Sequence, residues 1–199
     1  MKTASALLII DVQNDFCPGG SLPVREGDRV VPVLNRYIEL FREWKLPVFA
    51  SRDWHPAITS HFRDFGGIWP AHCVQGSEGA RFHRDLALPE ETIVISKGLD
   101  PNRDDYSAFQ AATESGMPFP AQLEAMAVRK LYVGGLATDY CVKASVLDGV
   151  RHGLEMILLE DAVRGVDLNP GDSAKAIEEM VRAGAVLMNF SKMRADDRP

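Results

Sequence analysis

One stretch decides the fold of this chain: Leu131-Tyr132-Val133-Gly134-Gly135-Leu136-Ala137-Thr138-Asp139-Tyr140-Cys141. It starts as an apolar, strand-like run, and a helical pattern begins where that run ends. Cys141 therefore lies near the start of a helix, where free backbone N–H groups and the helix dipole favour the thiolate form. An unperturbed cysteine has a pKa of about 8.5, so a nucleophilic Cys141 would need a base and an orienting cation.

The same alternation of apolar runs and amphipathic stretches continues along the chain. The predicted strands are residues 6–10, 47–51, 92–96, 131–134, 155–159 and 185–188, and the predicted helices are residues 28–45, 121–127, 138–152 and 171–183. The strand runs are almost continuously apolar, which is typical of parallel strands covered on both faces. We therefore predict an α/β fold, a three-layer α/β/α arrangement with a central, mainly parallel six-stranded sheet of Rossmann-like type.

The composition is that of an ordinary globular protein. The chain has 199 residues, 46% hydrophobic and 25% charged, and we expect residues 1–199 to form a single domain. Its net charge of −6 argues against nucleic acid or an anionic membrane surface as a partner. No signal peptide or membrane span is expected, and the three widely spaced cysteines favour a reduced, cytoplasmic setting. The sequence is compatible with a homo-oligomer.

Two charged residues directly follow other predicted strands. Asp11 comes after the first strand and Lys97 after the third. Because parallel strands end at one edge of a sheet, acid, cation and thiol are expected to meet there. Lys97 would keep Asp11 ionised and stabilise a thiolate, although alone Asp11 would suit a turn cap and Lys97 a solvated position. Cys17 and Cys73 do not start a helix after a strand, and we interpret both as inert buried thiols.

A second polar group is rich in histidine. Asp53-Trp54-His55 is followed by His61 and His72, so that three of the five histidines fall in one irregular stretch. Asp53 and His55 point the same way if that segment is extended. Imidazole and carboxylate ligands suit Zn, Fe or Mn, and open coordination positions would make the site catalytic in type. The alternative is a set of loop histidines with ordinary hydrogen bonds, and His61 is the least constrained of them.

Two long segments without clear periodicity, residues 55–89 and 98–120, are rich in Gly, Pro and aromatic residues. Loops of this length inside a compact domain are usually functional. Phe16, Trp69 and Tyr106 are aromatic residues in loops of this kind. They fit either local packing or a stacking pocket for a small planar ring.

Five motifs together resemble the nicotinamidases of the isochorismatase-like cysteine hydrolase superfamily. They are residues 9–16 (IIDVQNDF), 51–55 (SRDWH), 69–73 (WPAHC), 96–98 (SKG) and 135–142 (GLATDYCV), within a resemblance that runs from about residue 6 to 190. The Asp–Lys–Cys order is shared by several amidohydrolases, whereas Asp-x-His with a later His points to nicotinamidases. Isochorismatases themselves lack the nucleophilic cysteine, so Cys141 argues against that activity.

The resemblance implies conversion of nicotinamide to nicotinate and ammonia through a cysteine thioester, in NAD salvage. It makes Cys141 the nucleophile, Asp11 the acid and base, and Lys97 the orienting cation. It implies one divalent metal ion, with Zn as the first expectation and Fe or Mn as alternatives. The metal ligands it implies are Asp53, His55 and His72, with His61 as an additional ligand in some members.

The resemblance also implies how a substrate would be held. The ring pocket falls on Phe16, Trp69 and Tyr106, and pyrazinamide-like ring amides should fit it. A cis peptide bond precedes Ala137, and the backbone N–H groups of Ala137 and Cys141 form the oxyanion hole. Tyr140 stands where some relatives have His and receives no role.

Two other functions remain open. A different amidohydrolase of the superfamily, acting on an N-carbamoyl or ureido substrate, would keep Asp11, Lys97 and Cys141 without needing a metal. A non-catalytic binding protein of this fold is the other alternative, but such a protein has no need of a nucleophile.

Overall fold

The computed structural model describes residues 4–196. Its strands are β1 (Ala4–Ile10), β2 (Val48–Asp53), β3 (Ile93–Lys97), β4 (Ala112–Thr113), β5 (Val128–Leu136), β6 (Glu155–Arg164) and β7 (Val186–Met188). They form one sheet in the order β4-β3-β2-β1-β5-β6-β7, in which only the β3–β4 pair is antiparallel. The predicted α/β fold with a mainly parallel sheet is confirmed. The sheet has seven strands where six were predicted: the additional strand, β4, has only two residues, too few to produce a recognisable pattern in the sequence.

The helices are α1 (Val30–Glu43), α2 (Phe119–Ala125), α3 (Lys143–Arg151), α4 (Asp172–Ala183) and α5 (Phe190–Asp196). The predicted helix 138–152 begins as a π-helical turn, Thr138–Val142, before it continues as α3. Helix α5 was not predicted from the sequence, because Phe190 and Met193 are its only large apolar residues and do not make a clear helical period. No helix between residues 4 and 196 combines the length and apolarity that crossing a membrane requires.

The core lies on both faces of the sheet. Alternate residues of β1 point to opposite faces, so that Leu7 and Ile9 pack with α1 and α5, while Leu8 packs with α2, α3 and α4. All three side chains are fully buried. Burying such a side chain contributes about 1.5–3 kcal/mol, and a central strand covered on both faces explains its continuous apolar sequence.

The packing of β1 against β5 sets the position of the site. Gly135 has a φ of +124°, and a Cβ there would lie 2.1 Å from the carbonyl oxygen of Ile10. Only glycine lets the two backbones approach this closely. The ends of β1 and β5 are thereby held together, and Asp11 comes next to the turn that carries Cys141.

Candidate active site

Asp11, Lys97 and Cys141 meet at the carboxyl edge of the sheet. The Nζ of Lys97 lies 2.9 Å from Oδ2 of Asp11 and 3.5 Å from Sγ of Cys141. The hydroxyl of Ser51 donates a hydrogen bond of 2.7 Å to the other oxygen of Asp11. All four side chains are buried. The structure therefore brings together the acid, the cation and the thiol that strand ends in the sequence suggested.

Burial controls the protonation of these groups. It raises the pKa of Asp11, against the opposing effect of Lys97. Burial alone would lower the pKa of Lys97, but the two carboxylates and the thiol beside it hold that pKa well above its usual value. Burial also raises the pKa of Cys141 well above its usual value, although Lys97 opposes this. The resting residue is thus a thiol, which differs from the thiolate that a helix start favours, because the side chain is enclosed and two carboxylates are close.

Asp53 connects this group to the histidines. One of its oxygens contacts Nζ of Lys97, and the other lies 3.7 Å from Nε2 of His55 and 3.9 Å from Nε2 of His72. Burial by itself would raise the pKa of Asp53, but Lys97 and the histidines outweigh it and hold the pKa below its ordinary range. Asp53 is therefore a carboxylate shared between an ammonium group and the histidine cluster.

The three predicted histidines form one cluster. His55, His61 and His72 are buried, and each offers a ring nitrogen within 4.8 Å of those of the other two. The Nδ1 atoms are engaged elsewhere: that of His55 lies 3.1 Å from the Gly98 carbonyl and that of His72 lies 2.7 Å from the Pro70 carbonyl. Such contacts orient histidines that bind metals.

The chemistry of the cluster fits a divalent metal ion. Burial lowers the pKa of His61 and lowers that of His72 to about 4, so both rings are neutral, the form that binds a metal. Nε2 of His55 is buried and has no hydrogen-bond partner among the described residues. A second triad, Asp11, Asp53 and Cys141, is equally close, but there the ammonium of Lys97 already supplies the cation.

A cavity lies between the Cys141 thiol and the rings of His61 and His72. The predicted aromatic residues Phe16, Trp69 and Tyr106 all line it. Nε1 of Trp69 donates a 2.9 Å hydrogen bond to the Tyr106 hydroxyl, which joins the two long loops across the cavity. The ring of Tyr140 stands nearly perpendicular to Trp69, with 5.2 Å between the ring centroids. Sequence reasoning gave Tyr140 no role, since only the π-helical turn shows which way it faces.

Other lining residues also escaped sequence reasoning. They are Leu22, Val24, Asp105, Leu136 and Val166. The apolar ones resemble ordinary core or loop residues in the sequence, and only their convergence on the cavity shows that they would contact a ligand.

The turn that carries Cys141 has an unusual backbone. The Leu136–Ala137 peptide bond is cis, as the resemblance implied. The N–H groups of Tyr140 and Val142 both donate to the Ala137 carbonyl, each at 3.1 Å. Ala137 and Cys141 both line the cavity.

Three polar residues of the quoted motifs hold this edge of the sheet together, although the sequence assigned them no role. The Gln13 side chain accepts from the Asp53 N–H and donates to its carbonyl, each at 2.8 Å. Asp15 accepts from the Cys73 N–H at 2.7 Å. Asp139 accepts from the N–H groups of residues 166 and 167, at 2.9 and 2.8 Å. Each contact joins segments that are distant in the sequence.

The remaining cysteines are buried and free, as expected. Burial raises the pKa of Cys17 to about 11 and that of Cys73 well above its usual value. Neither lines the cavity between the thiol and the histidines. A molecule bound in that cavity would therefore meet the thiol of Cys141 and neither of these two.

A parallel α/β sheet with a buried acid, ammonium and thiol at its carboxyl edge is typical of α/β enzymes with a cysteine nucleophile. The family model of the isochorismatase domain matches residues 5–191. The chain therefore belongs to the isochorismatase family.

Relatives with known functions extend this assignment. The nicotinamidase of Escherichia coli K12 is 42% identical over 202 residues, covering 94% of this chain and 95% of that protein. The structure is similar to that of Pyrococcus horikoshii pyrazinamidase in complex with zinc, with a TM-score of 0.86, 43% identity and coverage of 94% and 99% of the two chains. It is also similar to PnC1 of L. infantum in complex with nicotinate, with a TM-score of 0.84, 35% identity and coverage of 96% and 95%.

Proposed function

We propose that this protein is a nicotinamidase, which hydrolyses nicotinamide to nicotinate and ammonia as a step of NAD salvage. The observation that carries the proposal is the cavity itself, which is lined by the thiol of the acid–ammonium–thiol group and by His61 and His72 of the histidine cluster. The first group suits amide hydrolysis, and the second suits an anchored heteroaromatic ring. The nicotinamidase, zinc-bound and nicotinate-bound relatives support the same assignment.

In the first half of the reaction, Asp11 accepts the proton of the Cys141 thiol, and the sulfur attacks the amide carbonyl carbon. The N–H groups of Ala137 and Cys141 stabilise the negative oxygen of the tetrahedral intermediate. One such donor contributes roughly 2.7–4 kcal/mol of barrier lowering. Protonated Asp11 then gives its proton to the amide nitrogen, so that the C–N bond breaks and ammonia leaves. The raised pKa of Asp11 suits this role as an acid.

The second half hydrolyses the thioester. Asp11 accepts a proton from a water molecule whose oxygen attacks the thioester carbonyl. The C–S bond breaks, the sulfur recovers the proton, and nicotinate is released. In both halves, the ammonium of Lys97 stabilises the negative charge as it moves between Asp11 and the Cys141 sulfur. Its Nζ lies 2.9 Å from Oδ2 of Asp11 and 3.5 Å from that sulfur.

The histidine cluster and Asp53 would hold one divalent ion, with zinc as the first expectation and Fe or Mn as alternatives. When bound, such an ion supplies a Lewis-acid contact for the pyridine nitrogen. Phe16, Trp69 and Tyr106 would enclose the ring, and the two positions together would place the amide carbon beside Cys141. Pyrazinamide has a ring nitrogen in an equivalent position and should also be accepted.

A panel of amides tests this proposal. The protein should release ammonia from nicotinamide and pyrazinamide, and a chelator should mainly raise KM, because the metal anchors the ring. Cys141→Ala should abolish turnover and keep its metal content, whereas the control Cys17→Ala should keep both.

Retained turnover in Cys141→Ala would contradict the assignment of the nucleophile. Metal-free protein that releases ammonia only from an N-carbamoyl or ureido substrate would favour the other amidohydrolase class. Bound ligand without any ammonia release would favour a binding protein.

A further inference from the structure

We infer that Asp104 is a positioning residue that holds His61 in place as a fourth protein ligand of the metal site. The inference deepens the proposed function and rests on it. Oδ1 of Asp104 lies 2.5 Å from Nδ1 of His61. With Nδ1 engaged there, the other ring nitrogen is the one left for the cluster with His55 and His72. A carboxylate thus selects the tautomer and the orientation of this histidine.

This partner differs from those of the other two histidines. His55 and His72 each contact a neutral backbone carbonyl, whereas His61 contacts a carboxylate. The Asp104 side chain is 53% exposed, while that of His61 is 6% exposed. The carboxylate of Asp104 therefore lies on the solvent side of the histidine cluster. A carboxylate partner makes an imidazole a more basic ligand than a carbonyl does. His61 therefore has the strongest outer support of the three rings.

The backbone that carries His61 is held by the same part of the chain. The Ser60 N–H donates to the Pro101 carbonyl at 2.8 Å, and the Thr59 hydroxyl contacts that carbonyl at 3.2 Å. The His61 N–H in turn donates to the Thr59 hydroxyl at 3.3 Å. The turn that presents His61 is thus docked on residues 101–104, through both its main chain and its side chain.

Asp104 is itself held in a closed turn. The neighbouring Asp105 accepts from Nε of Arg103 at 2.7 Å, from the Gly98 N–H at 3.3 Å and from the Gln110 side chain at 3.1 Å. These bonds close residues 98–110 around a buried carboxylate. Asp105 therefore anchors the turn, which leaves Asp104 as the carboxylate that meets His61.

Zinc affinity of the full chain, measured by competition with a chromogenic chelator, tests the inference. Asp104→Ala should weaken zinc binding about 10- to 100-fold, the usual effect of losing an outer partner of a metal ligand. Asp104→Asn should lose less, because its amide oxygen still accepts from the His61 ring. Asp64→Asn, which removes an exposed charge from the loop that carries His61, is the matched control and should change affinity less than about twofold.

Two further measurements separate positioning from general stabilisation. In a His61→Ala background, Asp104→Ala should cause no additional loss of affinity, since its effect acts through that ring. With cobalt(II) in place of zinc, the visible spectrum of Asp104→Ala should match that of His61→Ala, whereas Asp104→Asn should keep the original spectrum.

Each opposite result would overturn the inference. Unchanged affinity in Asp104→Ala, or an equal loss with and without His61, would show that Asp104 does not act through this ligand. If the unaltered protein binds zinc and hydrolyses nicotinamide in that case, only the role of Asp104 fails. An unaltered protein that binds no zinc would overturn the metal site and this inference together.

Discussion

At the scale of single residues, Lys97 links the two halves of the site. Its buried ammonium contacts the carboxylates of Asp11 and Asp53, and the second of these also faces two histidines. An unpaired charge in such a position would cost several kcal/mol, so the three groups depend on one another. The proposed catalysis at Cys141 and the proposed metal binding at the histidines consequently share one charge network.

The role of Asp11 as acid and base can be tested by Asp11→Asn. Asparagine keeps the shape and can still accept from Ser51, but it cannot take the thiol proton. We expect kcat/KM to fall about 100- to 10,000-fold, with unchanged metal content. Steady-state ammonia release and metal analysis check this. Asp28→Asn, at an exposed carboxylate outside the site, is the matched control, and near-normal rates in Asp11→Asn would contradict the mechanism.

The sequence predicted that Asp11, Lys97 and Cys141 would meet, because each lies at or after the end of a strand. Asp11 directly follows β1, Lys97 is the last residue of β3 and Cys141 lies in the turn after β5, and parallel strands bring their carboxyl ends to one edge of the sheet. Asp104 carried no comparable signal. Its contact with His61 joins two irregular loops, whose meeting depends on tertiary structure and not on any periodic pattern.

At the scale of elements, the turn that carries Cys141 is tied to the end of β6 by Asp139. Both of its oxygens accept main-chain N–H groups just beyond that strand. Asp139 is 9% exposed, so these bonds are largely shielded from water. The ties hold the π-helical turn against the sheet and thereby set where the thiol stands.

Asp139→Ala should therefore lower both stability and activity. It removes the acceptor of two partly buried N–H groups, and we expect the free energy of unfolding to fall by about 1–3 kcal/mol, as measured by urea denaturation. Asp148→Ala on α3, whose carboxylate meets the exposed Arg151, should cost about 0.5 kcal/mol. Equal effects of the two variants would show that the ties to β6 contribute nothing specific.

At the scale of the whole molecule, Tyr37 connects α1, β6 and α5. Its hydroxyl donates to Asp161 at 2.8 Å, and Asp161 also accepts from the Phe190 N–H at 3.0 Å. The Tyr37 ring packs edge-on against Phe190, with 5.1 Å between centroids. Burial, followed by the bond to Asp161, raises the pKa of Tyr37 above its usual value.

This connection predicts a loss of stability at alkaline pH. The folded protein keeps the Tyr37 proton, which the unfolded chain releases above about pH 10. The contribution of protonated Tyr37 to the free energy of unfolding is therefore complete below that pH. Above it, this contribution declines by up to about 1.4 kcal/mol per pH unit. In urea denaturation between pH 8 and 11, Tyr37→Phe should show a shallower decline than the unaltered protein. Parallel curves would contradict the prediction.

The central sheet could be predicted from the sequence more completely than the short elements β4 and α5. The continuously apolar runs that became β1 and β5 required a sheet covered on both faces, and the structure has one. Strand β4 could not be predicted because it has only two residues, and helix α5 could not because it has only two large apolar residues, Phe190 and Met193. That residues 1–199 form a single domain stays a prediction.

The backbone of Gly98 has a practical consequence for protein engineering. Its carbonyl oxygen lies 3.1 Å from Nδ1 of His55 and its N–H donates to Asp105, so one residue contacts both long loops. A Cβ at Gly98 would lie 2.4 Å from the His55 ring, which leaves no space for any other residue. If the loop that carries the histidines were grafted onto another protein without residues 97–106, the His55 ring would lose the contact that orients it. Transfer of the histidine cluster to another protein therefore requires both loops.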